Sequence, residues 1–237
     1  MRSRRMFLNK HDKDAAWEIV SFVKSLDHPH QRYGGRSYAQ HGDDMAILNV
    51  FGCLRIQSPS YLDVGSHHPY ELSNTALLYQ RGCRGINVEA NPALFGAFER
   101  LRPEDINVCV AVGPQAGEAK FYRVSETCGL NSLLHIPHAA DTITVPMITL
   151  NDVIEQYANG QWPDLLSIDI EGMDLEVLRS TNLRNHGPKV ICVEAVSLHG
   201  DISADLRKVL GGYGYAVHSW CGGNLLFVRS NMMDWCR

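Results

Sequence analysis

The apolar residues of the chain follow two different patterns, and the change between them lies near residue 60. Before it, apolar side chains recur at helical spacing over residues 17–26, and a stretch rich in proline and glycine, residues 29–35, ends that pattern. A second helical pattern covers residues 42–51 and has Asp43 and Asp44 in its first turn, where carboxylates suit the helix dipole. These features predict a helical extension over residues 1–57.

From residue 58 onward, short apolar runs alternate with amphipathic stretches. Strands are predicted at residues 61–64, 85–88, 106–112, 119–124, 143–148, 165–170, 190–193, 213–218 and 225–228, and helices at 72–81, 92–101, 150–157, 175–180 and 203–210. Such alternation favours an α/β fold with a parallel sheet that helices cover on both faces. The last two strands form a hairpin, which adds an antiparallel edge. We therefore expect one doubly wound domain over residues 58–237.

Composition and charge narrow the function classes. The chain has 237 residues, 45% hydrophobic and 20% charged, with a net charge of -4. This composition is typical of a globular protein, and it lacks the basic excess that nucleic-acid binding usually needs. No segment has the roughly 20 apolar residues of a membrane span. Seven cysteines without a C-x-x-C spacing suggest a reducing cytoplasm. The expected partner is a small molecule, and a homo-oligomer stays open.

Two features near the first two strands indicate a nucleoside cofactor. The first strand ends in Asp63 and is followed by Gly65 and Ser66, while Glu89 ends the second strand 26 residues after Asp63. A glycine turn and a ribose-binding acid roughly 20 residues later mark such sites in doubly wound folds. The turn lacks the further glycines of a dinucleotide fingerprint and has His67 instead, which favours a cofactor without a pyrophosphate.

These motifs resemble the FkbM family of methyltransferases. The similar segments are YLDVGSHHP at 61–69, SNT at 73–75, GINVEANP at 85–92, LSIDIEG at 166–172 and LEVL at 175–178, and YAQHGDD at 38–44 resembles a segment of one subgroup. The resemblance implies a class I methyltransferase fold with a Rossmann-like, mostly parallel seven-stranded sheet, and S-adenosylmethionine as methyl donor. Members of the family mostly methylate hydroxyls, often on sugars, in natural-product or glycan pathways.

The resemblance also implies roles for individual residues. Asp63 and Gly65, with Ser66 beside them, would line the methionine part of the cofactor, and Glu89 would hold the ribose. The adenine would be bordered by Ala90, Asn91 and Val112. Apart from the resemblance, Gln40 and Asp43 are expected to reach the active site as part of a lid. The pair His67-His68 stands where the family's turn usually has small residues, which leaves the substrate class open.

Carboxylates at the ends of later strands are the candidates for the chemistry. Asp169 follows a buried-type strand next to the first one, so it can take the proton of an attacking hydroxyl. Glu171 would point to the same side if the extended structure continued, and Glu194 ends the following strand. Together the three acids would suit Mg²⁺ or Mn²⁺, which prefer oxygen ligands.

Further polar residues are candidates for substrate contacts. His68 is a possible base, and His67 and His199 are possible substrate contacts near the mouth of the site. Asn131 and Ser132 lie between apolar anchors in the loop that connects the extra strands, which suggests a positioned turn.

The leading hypothesis is an S-adenosylmethionine-dependent O-methyltransferase that acts on a sugar or a glycosylated metabolite. One alternative is methyl transfer to a nitrogen or a carboxylate of a peptide or small molecule, which needs no strong base. Another is a nucleoside-binding module without catalysis.

Overall fold

In the computed structural model the described residues are 37–184, 187–197 and 199–233. The helix expected over residues 17–26, and with it much of the predicted extension, lies outside them. The helices are α1 (Asp43–Cys53), α2 (Ala76–Gln80), α3 (Pro92–Leu101), α4 (Leu150–Tyr157), α5 (Asp174–Ser180) and α6 (Ser203–Gly212). The strands are β1 (Tyr61–Val64), β2 (Gly85–Val88), β3 (Ile106–Val108), β4 (Ala111–Val112), β5 (Gly117–Arg123), β6 (Asp141–Ile148), β7 (Leu165–Ile168), β8 (Val190–Glu194), β9 (Val196–Ser197), β10 (Gly200–Asp201), β11 (Tyr215–Cys221) and β12 (Asn224–Arg229).

Seven of these strands form one sheet in the order β11-β12-β8-β7-β1-β2-β3. The five strands from β8 to β3 are parallel, and β12 pairs antiparallel with both β8 and β11. The predicted fold is therefore confirmed: a mostly parallel seven-stranded sheet with an antiparallel terminal hairpin, as in class I methyltransferases. Since β7 and β2 flank β1, the carboxyl ends of these three strands lie side by side.

The two faces of the sheet bury two separate cores. Leu62 and Val64 of β1 pack on one face with apolar residues of α4, α5 and α6. Tyr61 of β1 packs on the other face with α1 and α2. Successive strand residues point to opposite faces, so a strand covered on both sides is buried at every position, and all four residues of β1 and of β7 are buried. The site at the strand ends thus rests on rigid elements.

Two helices begin where their sequences predict. Asn91 caps α3, because its side chain accepts a hydrogen bond from the Ala93 amide, and Pro92 occupies the first helical position. Thr149 and Asp152 form a reciprocal capping box at the start of α4. Local signals of this kind explain why both helices have the predicted bounds.

Two predicted elements differ from the structure in more than the position of their ends. The third strand, expected over residues 106–112, is divided: β3 ends at Val108, and β4 joins β5 and β6 in a separate three-stranded sheet. The helix expected over residues 72–81 begins only at Ala76, because Leu72 has a left-handed backbone (φ 54°) and Ser73 accepts a hydrogen bond from the Ala76 amide. The turn before α2 therefore replaces a helical turn and fixes Thr75 at its end.

Residues 37–237 cluster as one unit, which includes α1. The domain boundary after residue 57 stays a prediction. The six cysteines in the described ranges are unpaired. Among the helices described, none combines the length and the apolar character that crossing a bilayer requires.

Candidate functional site

The site lies at the carboxyl ends of β1, β2, β7 and β8. Val64 is in register with Val88 of β2 and with Ile168 of β7, so the residues that follow these strands meet at one edge of the sheet. Two adjoining cavities open there. The inner pocket is bounded by the ends of β1 and β2 and by β4, and the outer chamber by the ends of β1, β7 and β8.

Gly65 lies where the two cavities meet, and the backbone conformation and packing at this position require glycine. Its φ is 75°, and a Cβ on it would lie 1.8 Å from the carbonyl oxygen of Asp169. Non-glycine residues avoid both conditions. The structure explains this glycine by the close packing of the turn after β1 on the residue that follows β7.

Glu89, the predicted ribose acid, lies in the inner pocket with only 6% of its surface exposed. One carboxylate oxygen accepts a hydrogen bond from the amide of His67 (2.8 Å), and the other accepts one from the amide of Asn91 (2.7 Å). Burial raises its pKa to about 7, against the effect of these two donors. Each oxygen keeps a lone pair, so the group can accept two further hydrogen bonds.

The other residues predicted to contact the nucleoside also line the inner pocket. Ala90 and Asn91 follow Glu89, and Val112 belongs to β4 on the facing side. The side chain of Asn91 has a structural role, because its oxygen caps α3 and its nitrogen donates to the carbonyl of Glu126. Phe121 and Leu133 complete an apolar wall that the sequence did not indicate. The free space in this pocket is about 60 Å³.

The outer chamber is larger, about 510 Å³, and acidic. Its lining includes Asp63, Asp169, Glu171 and Glu194, and among its described lining residues there is no lysine or arginine. Gln40 and Ser66, both predicted near the cofactor, line it as well. The two cavities share five residues: Gly65, His67, Gly129, Asp169 and Glu171. A ligand that extends through both would therefore pass Asp169.

Three carboxylates form a cluster in this chamber. Ligand oxygens of Asp169, Glu171 and Glu194 lie within 4.8 Å of one another, a geometry that fits a divalent cation. Oδ1 of Asp169 and Oε2 of Glu194 are buried and have no hydrogen-bond partner in the described part of the chain. Burial, followed by the charges of neighbouring acids, raises the pKa of all three groups, that of Glu171 to about 7.

Glu171 reaches the cluster by a route that differs from the prediction. Extended structure does not continue beyond β7, because Glu171 has a left-handed backbone with φ of 52°. The Ser132 hydroxyl donates to the Glu171 carbonyl (2.8 Å), and the carboxylate of Asp174 accepts from the amides of Ile170 and Gly172. This tight turn, and not strand alternation, brings the side chain of Glu171 towards Asp169.

The predicted lid residue Asp43 is buried (2% exposed) and lies outside both cavity linings. Its Oδ1 accepts a hydrogen bond from Asn224, which does line the outer chamber, and its Oδ2 has no partner in the described residues. Burial raises its pKa. Asp43 therefore does not line the chamber itself but holds the side chain of Asn224, which does.

The three candidate histidines have different environments. His67 lines both cavities, has a left-handed backbone (φ 54°), and burial lowers its pKa. His68 is absent from both linings, and its Nδ1 accepts hydrogen bonds from the amides of Tyr70 and Glu71. His199 is exposed beside Gly172, outside both linings. The geometry thus favours His67 over His68 and His199.

Two polar residues that the sequence singled out, Asn131 and Ser132, hold the loop between β5 and β6 in place by hydrogen bonds. The side chain of Asn131, which lines the inner pocket, accepts from the Val124 amide and donates to the Ser125 carbonyl. Ser132 is 1% exposed and contacts the Glu171 backbone without lining either cavity. Ser132 is therefore an anchor of the loop, whereas the prediction made it a substrate contact.

Several residues at the site are not indicated by any pattern in the sequence. Arg102 is completely buried beneath the site and donates to Thr75, whose hydroxyl in turn donates to Asp63. Asn224 reaches the chamber from β12, at the far end of the chain. An arginine at the end of an amphipathic helix is ordinarily exposed, so only the fold reveals this burial.

Comparisons with known proteins agree with this architecture. A family model described as the methyltransferase FkbM domain matches residues 63–217, more than half of the chain. No curated protein sequence matches.

Among solved structures, an FkbM methyltransferase from Methylobacillus flagellatus is 14% identical, with a TM-score of 0.44; the match covers 73% of this chain but only 44% of that one. A TehB-like S-adenosylmethionine-dependent methyltransferase from Corynebacterium glutamicum is 11% identical over 92% of this chain and 98% of that one, with a TM-score of 0.45. An O-methyltransferase from Bacillus cereus, in complex with S-adenosylhomocysteine, is 12% identical over 95% and 93%, with a TM-score of 0.40.

The family match begins at Asp63 and includes Gly65, Glu89, Asp169 and Glu194, which come from separate parts of the chain and meet at one edge of the sheet. The chain belongs to the FkbM family and is an S-adenosylmethionine-dependent methyltransferase.

Proposed function

We propose that this methyltransferase acts on a hydroxyl of a sugar or of a glycosylated natural-product metabolite. The observation that carries the proposal is the junction of the two cavities. The residues they share include Gly65 and Asp169, and Asp169 has a buried oxygen there with no hydrogen-bond partner among the described residues. A hydroxyl that attacks a methyl group must lose its proton, and a carboxylate within hydrogen-bond reach accepts it.

In this proposal the inner pocket holds the adenosine and the outer chamber holds the acceptor. Glu89 accepts hydrogen bonds from the two ribose hydroxyls, and Ala90, Asn91 and Val112 border the adenine. Asp63, Gly65 and Ser66 line the methionine part. The loop that carries Asn131 and Leu133 lines this pocket and would contact the bound adenosine.

The methyl transfer itself needs alignment more than bond activation. The sulfonium charge disperses as the methyl moves from sulfur to oxygen, so the protein contributes chiefly by holding the hydroxyl, the methyl and the sulfur in line. Asp169 takes the proton of the hydroxyl, and His67, which lines both cavities, orients the acceptor. Burial keeps His67 neutral to lower pH than an exposed histidine, so it can accept a hydrogen bond from a hydroxyl.

A divalent cation at Asp169, Glu171 and Glu194 is the second element of the proposal. Three carboxylates within 4.8 Å of one another repel each other unless protons or a cation compensate them. Mg²⁺ or Mn²⁺ would lower the pKa of a bound hydroxyl when present. Titration of Mn²⁺ into the cofactor-free protein tests it: we expect binding that Glu194→Gln weakens at least about tenfold, and unchanged activity in EDTA would exclude the cation.

The cofactor assignment is tested first, by calorimetry with S-adenosylmethionine, S-adenosylhomocysteine and NAD. We expect the first two to bind and NAD not to bind; the reverse result would refute the assignment.

The hydroxyl acceptor is tested next with S-adenosylmethionine labelled in its methyl group and a panel of sugars and glycosides, with amines and carboxylic acids as the comparison set. Methyl transfer to a hydroxyl that Asp169→Asn reduces by about 100-fold, the scale of one general base, supports the proposal. Transfer to nitrogen or carboxylate that Asp169→Asn leaves intact supports the alternative reaction instead.

A further inference from the structure

A buried chain of hydrogen bonds leads from Asp63 into the core. Oδ2 of Asp63 accepts a hydrogen bond from the Thr75 hydroxyl at 2.6 Å, and Oγ1 of Thr75 accepts one from Nη2 of Arg102 at 3.0 Å. Asp63 is 4% exposed, and both Thr75 and Arg102 are 0% exposed. The chain therefore connects a carboxylate of the outer chamber to a guanidinium that no ligand reaches.

Arg102 is held in place independently of Asp63. Its Nε donates to Asp105 at 3.0 Å, and its Nη2 also donates to the Tyr61 hydroxyl at 2.8 Å. Asp105 in turn accepts from Tyr61 and from the side chain of Asn87. A buried ion pair is tolerated when further hydrogen bonds satisfy both partners, and this pair meets that condition without the Thr75 bond.

The donors along the chain all point towards Asp63. Arginine only donates, so Oγ1 of Thr75 is the acceptor in its bond with Arg102. The single hydroxyl proton of Thr75 is then directed at Asp63. A charge-assisted hydrogen bond of this kind favours an ionised acceptor, so Arg102 supports the charge of Asp63 although the two residues do not touch.

An ionised, buried Asp63 lowers the stability of the folded protein unless a cation binds to it. Asp63 is buried, and Asp169, another carboxylate, lies near enough to repel it. The core ion pair of Arg102 and Asp105 would be complete without it. S-adenosylmethionine has two cationic groups at its methionine end, the ammonium and the sulfonium, and the proposed function puts this end beside Asp63.

We propose that Thr75 and Arg102 are positioning residues that keep Asp63 ionised and directed at the ammonium group of the cofactor. The inference rests on the proposed function, because it takes the methionine end to lie along Asp63. It assigns the cofactor's amine recognition to a relay of two core residues.

The test uses three ligands and four variants of the chain, with affinities measured by calorimetry. S-adenosylhomocysteine and its decarboxylated analogue both have the amine, whereas 5′-methylthioadenosine lacks the whole amino-acid part. Thr75→Val removes the hydroxyl at nearly constant volume, and Thr75→Ser retains it. Thr181→Val is the matched control, because Thr181 is equally buried and its hydroxyl donates to the Val177 carbonyl in a different part of the fold.

We expect Thr75→Val to weaken both amine ligands by about tenfold, the scale of one charge-assisted hydrogen bond, and 5′-methylthioadenosine by less than about twofold. Thr75→Ser and Thr181→Val should leave all three affinities within about twofold of the wild type. If Thr75→Val does not fold, Thr75→Ala makes the same comparison.

Equal weakening of all three ligands by Thr75→Val would show a structural role and overturn the inference, and so would unchanged affinity for the amine ligands. A wild-type protein that fails to bind S-adenosylhomocysteine would instead refute the proposed function. The two failures are therefore distinguishable.

Discussion

The inner pocket and the outer chamber meet at Gly65 but differ in how their acidic groups are paired. In the inner pocket both oxygens of Glu89 accept backbone amide hydrogens. In the outer chamber Asp169 and Glu194 each have a buried oxygen with no partner among the described residues. The chamber also collects four carboxylates and no lysine or arginine in its described lining.

This difference indicates which part of the site is complete before a ligand binds. A buried polar group without a hydrogen bond costs about 1–3 kcal/mol, and proteins retain such groups mainly where function needs them. In the inner pocket the Glu89 carboxylate is satisfied by the chain itself, as suits one constant ligand. The outer chamber is completed by whatever enters it, be it an acceptor, a cation or both.

The largest expected effect is that of Gly65→Ala, which introduces a steric clash where the two cavities meet. The added Cβ would lie 1.8 Å from the Asp169 carbonyl oxygen, on a residue with φ of 75°. We expect a loss of at least about 3 kcal/mol in the free energy of unfolding, measured by urea denaturation, and no detectable binding of S-adenosylhomocysteine.

Gly82→Ala is the matched control. Gly82 has a similar φ of 87°, but its added Cβ would meet nothing within 4 Å, so only the backbone strain of about 1–2 kcal/mol remains. Equal destabilisation by the two substitutions would mean that the contact with Asp169 is unimportant.

The second effect concerns Glu89, each of whose carboxylate oxygens accepts one backbone amide hydrogen. Glu89→Gln replaces one acceptor oxygen by a donor, which then faces a backbone amide. We expect a loss of about 1–3 kcal/mol in stability and at least about tenfold weaker binding of S-adenosylhomocysteine, because ribose hydroxyls lose an ionised acceptor. Calorimetry with 5′-methylthioadenosine should show the same loss, since this ligand has the ribose. Unchanged affinity for both ligands would remove Glu89 from the ribose role.

In the outer chamber the corresponding substitution should stabilise the protein. Burial and neighbouring acids raise the pKa of Glu194 from 4.5 to about 9. Between these two pH values the unfolded chain has released a proton that the folded protein retains, so Glu194 lowers folding stability increasingly as the pH rises. We expect Glu194→Gln to raise the free energy of unfolding by at least about 1 kcal/mol at pH 8 and to change it little at pH 5, in the absence of divalent cations.

Denaturation curves of both variants at pH 5 and pH 8 compare the two cavities directly. Opposite signs for Glu89→Gln and Glu194→Gln at pH 8 would support the distinction between a satisfied pocket and an unsatisfied chamber. If Glu194→Gln destabilised the protein at pH 8, the chamber would have a hidden partner for that carboxylate.

The smallest expected effect is that of Ser132→Ala. The Ser132 hydroxyl connects the loop to the Glu171 carbonyl and accepts from the Leu134 amide. Its loss should cost about 1 kcal/mol and increase amide exchange at residues 130–134, with little change at Asn91. Exchange that is equally fast at both places would mean that the loop is not a separate unit from the inner pocket.

The sequence predicted best those features whose cause is local. The starts of α3 and α4 follow from caps at Asn91 and Thr149, and the carboxyl ends of β1 and β2 follow from short apolar runs. Since parallel strands end at the same edge, Asp63, Glu89 and Asp169 were expected together, and they line adjoining cavities.

Predictions failed where distant segments decide the geometry. The expected third strand is divided because β4 finds a partner in β6, far along the chain. Strand alternation could not indicate the turn at Glu171. The role of His68 as a base stays a prediction; Nδ1 of its ring accepts hydrogen bonds from two amides of its own turn.

The succession of strands and helices along the chain, the glycine turn and the acids at the strand ends were determined by the sequence alone, because hydrophobic spacing and backbone sterics act over a few residues. The tertiary structure alone decided that Arg102 is buried, that Glu171 turns back towards Asp169, and that Oε2 of Glu194 has no hydrogen-bond partner among the described residues. The reason is physical: desolvation and pairing of charges depend on what surrounds a group from all sides, and most of those neighbours are far away in sequence.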